Sequence, residues 1–80
     1  MNEIYEKILI TIEDVADIPQ DEIEESSSFI DDLDLASLEI MSVVSKLEKE
    51  FSVKFSENDL LEIETVGDMV ELISKKRQEA

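Results

Sequence analysis

The stretch that decides the fold is Ser37-Leu-Glu-Ile-Met-Ser-Val-Val-Ser-Lys-Leu-Glu-Lys-Glu-Phe51. At about 100° per residue, five of its apolar side chains fall on one arc, which predicts an amphipathic helix over residues 37–51. This arc must face a core and consists of Ile40, Val43, Val44, Leu47 and Phe51.

A second stripe lies beside that arc and is formed by Leu38, Met41, Ser45 and Glu48. Periodicity alone favours the interpretation that Leu38 and Met41 widen the buried face. The alternative is that the stripe stays on the surface, with Ser37 at its N-terminal edge.

Outward from this segment the sequence predicts three further helices. The first runs from Glu3 to Asp17, where Asn2 can cap it and Pro19 disfavours its continuation. A short helix capped by Ser56 extends through Leu61 or Ile63, and a final helix follows its cap, Thr65. We therefore expect an all-α fold and a single domain over residues 1–80, namely a small four-helix bundle of three longer helices plus one short helix.

A long loop, residues 18–36, joins the first two helices. Loops of this length are uncommon in compact domains unless they are functional or disordered. Five apolar residues suggest that this one is pinned to the bundle, and a short helical turn is expected near residues 20–23. Ser26, Ser27 and Ser28 are interpreted as turn residues. The five apolar residues are Ile23, Phe29, Ile30, Leu33 and Leu35.

Composition excludes several classes of function. The chain has 22 acidic and 7 basic residues, a net charge of −15, which disfavours nucleic acid and membrane surfaces as partners and favours basic proteins. It has no cysteine and no histidine, so triads built on histidine and cysteine-based zinc sites are impossible. One glycine cannot form a phosphate-binding loop. Without a signal peptide or an apolar span, we expect a cytoplasmic protein.

Two groups of side chains remain as candidates for chemistry. Asp31, Asp32 and Asp34 are interpreted as a solvated acidic loop, because their spacing lacks the glycine and distal glutamate of a calcium-binding loop; no metal site is expected. Ser37 lies where the long loop meets a helix N-terminus, a position that suits an attached phosphate. Local sequence alone favours an ordinary cap at Ser37.

Three segments decide between these interpretations of Ser37: Phe29-Ile-Asp-Asp-Leu-Asp-Leu-Ala-Ser-Leu-Glu-Ile-Met41, Leu47-Glu-Lys-Glu-Phe51 and Thr65-Val-Gly-Asp-Met-Val-Glu-Leu-Ile73. Together they resemble the acyl carrier protein family over nearly the whole chain. The resemblance implies that Ser37 receives 4′-phosphopantetheine, whose thiol holds acyl groups as thioesters in fatty acid or related biosynthesis. A separate phosphopantetheinyl transferase would supply the missing base, so the chain itself is expected not to be an enzyme.

The same resemblance implies a docking surface for partners. Leu38, Glu39, Met41 and Glu48 lie where the family contacts its transferase and its acyl-transferring or acyl-elongating enzymes, which present basic surfaces. A monomer is expected. The rival hypothesis is an unmodified acidic helical module that binds a basic protein, with Ser37 only a cap.

The chain departs from the family at three positions. Ala36 replaces the aspartate that precedes the serine, Ser42 stands where many members carry an acid, and Lys49 interrupts the acidic run. Because alanine cannot cap a helix, we expect either Asp34 or Ser37 to cap the helix that follows.

Overall fold

Four α-helices make up the regular structure of the protein. The computed structural model describes residues 2–79, with side chains over residues 3–77. The helices are α1 (Asn2–Ala16), α2 (Ser37–Phe51), α3 (Glu57–Glu62) and α4 (Val66–Glu79), and a 3₁₀ turn spans Gln20–Glu22. Over residues 2–79 there is no strand, only an isolated antiparallel bridge between Ser28 and Thr65. The predicted all-α bundle and the bounds of α2 are confirmed.

Helix α1 begins at Asn2, the residue expected to cap it. The side chain of Asn2 lies outside those that the structure describes, so this cap stays a prediction.

Helices α1 and α2 are each followed by a residue in the left-handed conformation that is not a glycine. Asp17 follows α1 with φ 62° and donates its N–H to the Glu13 carbonyl at 2.8 Å. Ser52 follows α2 with φ 55° and ψ 46°, and the next N–H, of Val53, reaches the Glu48 carbonyl at 3.1 Å. These bonds satisfy carbonyls that a helix end leaves free.

Helices α3 and α4 begin with the caps that the sequence predicts, Ser56 and Thr65, and the structure shows that each cap is reciprocal. Ser56 Oγ accepts the Asp59 N–H at 3.1 Å, while the Asp59 carboxylate accepts the Ser56 N–H at 2.9 Å. Thr65 and Asp68 make the corresponding pair at 3.1 Å in each direction. Hydrogen bonds from the backbone N–H groups of Glu64 and Thr65 lower the pKa of Asp68 below its usual range. Each cap satisfies donors that the first helical turn leaves free.

The core lies between α1, α2 and α4, which contribute its fully buried side chains. Burying an aliphatic side chain of this size contributes about 1.5–3 kcal/mol relative to exposure, so these residues dominate stability. Ile40 and Phe51, the first and last residues of the predicted arc along the chain, are only partly buried and pack against the core. The fully buried residues are Ile8, Ile12, Val43, Leu47, Val66, Met69 and Ile73.

The long loop is pinned to this core at four of the five predicted positions. Ile23, Phe29 and Leu35 are buried and Leu33 is partly buried. Ile30 is 65% exposed, so its expected burial is wrong. The loop reverses direction between Phe29 and Leu35, whose N–H bonds the Phe29 carbonyl at 2.9 Å, and this leaves Ile30 on the outside.

Hydrogen bonds to serine hydroxyls hold the turns of the loop. Ser27 Oγ accepts the Glu24 N–H at 2.9 Å and Ser28 Oγ accepts the Asp31 N–H at 3.1 Å, which confirms their interpretation as turn residues. Gly67 donates its N–H to the Glu25 carbonyl at 2.8 Å, and a Cβ there would lie 3.2 Å from that oxygen. This close approach is what the only glycine of the chain permits.

Candidate functional site

The N-terminus of α2 presents Ser37 as the first helical residue. Ala36 is the N-cap, with φ −76° and ψ 160°, and its carbonyl accepts the Ile40 N–H at 3.0 Å. The Glu39 carboxylate accepts the Ala36 N–H at 2.9 Å. The alanine methyl group cannot accept the Glu39 N–H in return, so only one half of a capping box exists. The expectation that Asp34 or Ser37 caps this helix is therefore wrong.

The loop before Ser37 is held in place by its own backbone and one carboxylate. The Asp32 carboxylate accepts the Ser28 N–H at 2.7 Å, and the Leu33 N–H bonds the Ser28 carbonyl at 2.9 Å. Asp34 adopts φ 55°, a left-handed conformation that aspartate tolerates better than most residues. Leu35, 5% exposed, then anchors the chain two residues before Ser37.

The Ser37 side chain is exposed, and within residues 3–77 its hydroxyl has no hydrogen-bond partner. The N–H groups of residues 37–39 have no intrahelical acceptors, because they belong to the first helical turn. The positive end of the helix dipole lies at the same place. The site therefore offers an accessible hydroxyl and hydrogen-bond donors for a phosphate, but no base to activate the hydroxyl.

The second stripe of α2 lies on the surface. Leu38 is 82% exposed and Met41 is 51% exposed, so the interpretation that they widen the buried face is wrong. The two acidic residues of the expected docking surface are partly buried and have local partners: Glu39 caps α2, and the Glu48 carboxylate accepts the Phe55 N–H at 2.7 Å. Glu39 stands three residues after the N-cap, and a glutamate at that position is a sequence signal that its carboxylate accepts the N-cap N–H.

An apolar cavity of about 340 Å³ opens beside α2, and no sequence pattern indicated it. Its inner surface is formed by the buried Phe29, Val44 and Met69, and Ile40 lies one helical turn after Ser37. An apolar cavity of about 150 Å³ already takes up benzene, so this one has room for a longer aliphatic segment. The complete lining is Ser28, Phe29, Ile30, Asp31, Ile40, Val44, Leu60, Ile63, Glu64 and Met69.

The acidic side chains do not form a second site in the described part of the chain. Asp31, Asp32 and Asp34 are exposed, and over residues 3–77 no three carboxylates come together in a group that could hold a metal ion. Among the four described helices, none has the length and apolarity that crossing a membrane requires.

Comparison with known proteins identifies the class. The profile of the family described as "Phosphopantetheine attachment site" matches residues 6–73. The chain is 40% identical over 76 residues to the acyl carrier protein of Borreliella burgdorferi, which covers 95% of each chain. It is 37% identical over 75 residues to the acyl carrier protein of Petrotoga mobilis, covering 94% of this chain and 88% of the relative. It is also 39% identical over 77 residues to the meromycolate extension acyl carrier protein of Mycobacterium tuberculosis, covering 96% and 67%.

The chain belongs to the acyl carrier proteins, within the family that has a phosphopantetheine attachment site. Its function is that of an acyl carrier in fatty acid or related biosynthesis, and its cofactor is covalently attached 4′-phosphopantetheine. Members of this family carry acyl groups and are not themselves catalytic; they work with acyl-handling enzymes and with a phosphopantetheinyl transferase.

Proposed function

We propose that Ser37 is the residue to which 4′-phosphopantetheine is attached, in a single monomeric acyl-carrier domain over residues 1–80. The observation that carries the proposal is the exposed Ser37 hydroxyl, free of described partners, at the first residue of α2. A serine that capped the helix would have its oxygen occupied by a backbone N–H. Here Ala36 holds the N-cap position, so the hydroxyl of Ser37 is available.

The residues around Ser37 fit a phosphodiester. When bound, the cofactor supplies a terminal thiol that holds an acyl group as a thioester. The free N–H groups of the first turn of α2 would donate to phosphate oxygens, and no acceptor at Ala36 competes for the Glu39 N–H. Glu39 and the buried Leu35 fix the backbone on either side of Ser37. The cavity beside Ile40 offers apolar surface to an aliphatic chain.

Intact-mass analysis tests the attachment site. The protein is incubated with coenzyme A, magnesium and a phosphopantetheinyl transferase of broad specificity. We expect one added phosphopantetheine on the wild type and none on Ser37→Ala. Ser42→Ala, which removes an exposed serine from the same helix, is the control and should be modified like the wild type. Modification of Ser37→Ala refutes the assignment, and an unmodified wild type supports the rival acidic interaction module.

We propose that the exposed stripe of α2 is the docking surface for the transferase and for acyl-transferring or acyl-elongating enzymes. Leu38 and Met41 provide its apolar centre, since large exposed apolar side chains are the residues that partners bury. Glu39 and Glu48 add negative charge beside it, and a net charge of −15 favours partners with basic surfaces.

Variants that replace a carboxylate with an amide distinguish an effect on docking from an effect on folding. Glu39→Gln and Glu48→Gln remove a charge and keep an oxygen that can accept the Ala36 or Phe55 N–H. We expect both variants to lower kcat/KM of the transferase most at low salt. Met41→Ala should lower kcat/KM at all salt concentrations, whereas Ile10→Ala, 49% exposed on α1, should not. Equal effects at Met41 and Ile10 would contradict this docking surface.

A further inference from the structure

The outermost line of α2 points directly away from the core. At about 100° per residue, Leu38 and Lys49 lie within about 20° of the same direction, opposite the arc that packs inside. Ser42 and Ser45 lie between them, and all of these side chains are exposed. At about 1.5 Å per residue, Leu38 and Lys49 are about 16 Å apart along the helix axis. A partner that lies along α2 therefore contacts both ends of this line.

The end of this line that carries Ser37 is acidic. Residues 17–45 contain nine acidic residues and no basic residue. Three of the acidic residues, Asp31, Asp32 and Asp34, are exposed in the loop that leads to Ser37. A partner that approaches Ser37 therefore meets negative charge, and basic groups on the partner complement this end of α2.

The other end of the line presents a positive charge. Lys49 is exposed and forms no ion pair with any residue whose side chain the structure describes. The acidic residues on either side of it are already engaged. The Glu48 carboxylate accepts the Phe55 N–H at 2.7 Å. Glu50 Oε2 lies 3.4 Å from Lys7 Nζ. The charge available to a partner at this end of α2 is thus that of the lysine.

The opposite charges at the two ends of α2 make its two directions different for a basic partner. A helix with acidic residues at both ends would attract such a partner in either direction along its axis. Only one direction brings Ser37 to the partner's catalytic centre. Like charges that face each other across an interface disfavour that arrangement, and charge complementarity fixes the register of a complex. Lys49 stands where it opposes the reversed complex.

We propose that Lys49 fixes the direction in which a basic partner enzyme lies along α2. In the productive complex the basic groups of the partner meet the acidic residues beside Ser37, and in the reversed complex they meet Lys49. The partner that fits has a basic patch beside its catalytic centre and no second basic patch about 16 Å away along α2. This inference rests on the proposed docking surface and adds to it the residue that orients the partner.

Steady-state kinetics of the broad-specificity phosphopantetheinyl transferase test this orienting role, because kcat and KM report it separately. Lys49→Glu makes both ends of α2 acidic and so permits the reversed complex. That complex occupies the transferase without turnover, which lowers kcat and KM by the same factor and leaves kcat/KM unchanged. We expect both constants to fall about two- to fivefold at low salt, the range for one exposed charge interaction. The fall should disappear in 1 M sodium chloride, where the Debye length is about 3 Å.

Two further variants separate orientation from net charge and from folding. Lys75→Glu, at an exposed position on α4, makes the same change in net charge and should keep the wild-type kcat. Lys49→Met removes the charge alone and should lower both constants less than Lys49→Glu does. Lys49 lies in the last turn of α2, where a cation also stabilises the helix dipole, so Tm is measured for every variant.

Three results would overturn the proposal. They are an unchanged kcat in Lys49→Glu, an equal fall of kcat in Lys75→Glu, and a fall of kcat in Lys49→Glu at constant KM with a lower Tm, which would reduce Lys49 to a structural role. Met41→Ala shows which proposal has failed. If Met41→Ala lowers kcat/KM while Lys49→Glu keeps kcat, the docking surface stands and Lys49 does not orient the partner. If neither variant changes the kinetics, the docking surface itself is wrong.

Discussion

The incomplete cap at Ala36 predicts that a residue with a side-chain acceptor at this position stabilises the protein. Ala36 already has N-cap geometry, φ −76° and ψ 160°, and Glu39 already accepts its N–H at 2.9 Å. Ala36→Ser needs no backbone change and adds the acceptor that the Glu39 N–H lacks. A serine cap is worth about 0.5–2 kcal/mol, typically about 1, relative to alanine. For a domain of this size, 1 kcal/mol raises Tm by about 4–8 °C.

Ala36→Asp should stabilise less than Ala36→Ser at low salt. The aspartate adds the same cap and a favourable interaction with the helix dipole of about 0.3–1 kcal/mol. It also adds a negative charge to a chain at −15, beside the Glu39 carboxylate that already contacts residue 36. High salt should shrink the difference between the two variants, because the Debye length falls from about 10 Å at 0.1 M to about 3 Å at 1 M.

Thermal unfolding followed by far-ultraviolet circular dichroism measures these effects. Ala36→Thr and its isostere Ala36→Val form the matched control, since only threonine supplies an acceptor oxygen. If Ala36→Ser and Ala36→Thr melt no higher than Ala36→Val, the inference from the half-formed capping box is refuted. We also expect Ala36→Asp, and not Ala36→Ser, to speed modification of Ser37, because the family motif has aspartate there. Equal modification rates in Ala36→Asp and Ala36→Ser would mean that the transferase does not recognise this carboxylate.

Three further predictions concern the rest of the fold. Ser52→Gly should stabilise the protein by about 0.5–1 kcal/mol in urea unfolding, because Ser52 has φ 55°; a lower midpoint would contradict a conformational penalty there. The pKa of Asp68 is lowered in the folded protein, so its carboxylate stabilises the fold at pH values above the ordinary pKa of 3.8. This contribution is lost as the pH falls through the lower pKa of the folded state. In urea titrations at several pH values, Asp68→Asn should therefore lose less stability between pH 5 and 2 than the wild type. Identical losses would show that the caps of α4 do not depend on the charge. Sodium chloride and magnesium chloride should both raise Tm, because 15 excess negative charges repel one another in the folded chain, and a Tm insensitive to both would rule out that repulsion as a limiting factor.

Side-chain spacing and caps predicted the helices well, because both act within a few residues. Val43, Val44 and Leu47 recur at helical spacing and are buried as expected. Ser56 and Thr65 cap α3 and α4 because their oxygens reach N–H groups three residues ahead. The start of α2 was predicted for the wrong reason: the sequence indicated a cap by Asp34 or Ser37, and the backbone instead places Ala36 there.

The surface of the site depended on contacts between distant segments. Periodicity could not distinguish a wide buried face from an exposed stripe at Leu38 and Met41, since it gives the direction of a side chain and not what lies opposite. The roles of Glu48, which binds the Phe55 N–H, and of Asp59, which binds Lys76, are likewise set by where neighbouring segments pass.

The sequence by itself determined which residues form helices, where most of them begin, that the chain repels anions, and that no histidine or cysteine takes part in its chemistry. These properties follow from local hydrogen bonding and from composition. Only the tertiary structure decided that Ser37 is exposed, that Leu60 of α3 lines a cavity of about 340 Å³, and that Asp59 of α3 pairs with Lys76 of α4. This cavity is space left between side chains of the long loop, α2, α3 and α4, so its existence depends on how these segments pack together and not on any one of them.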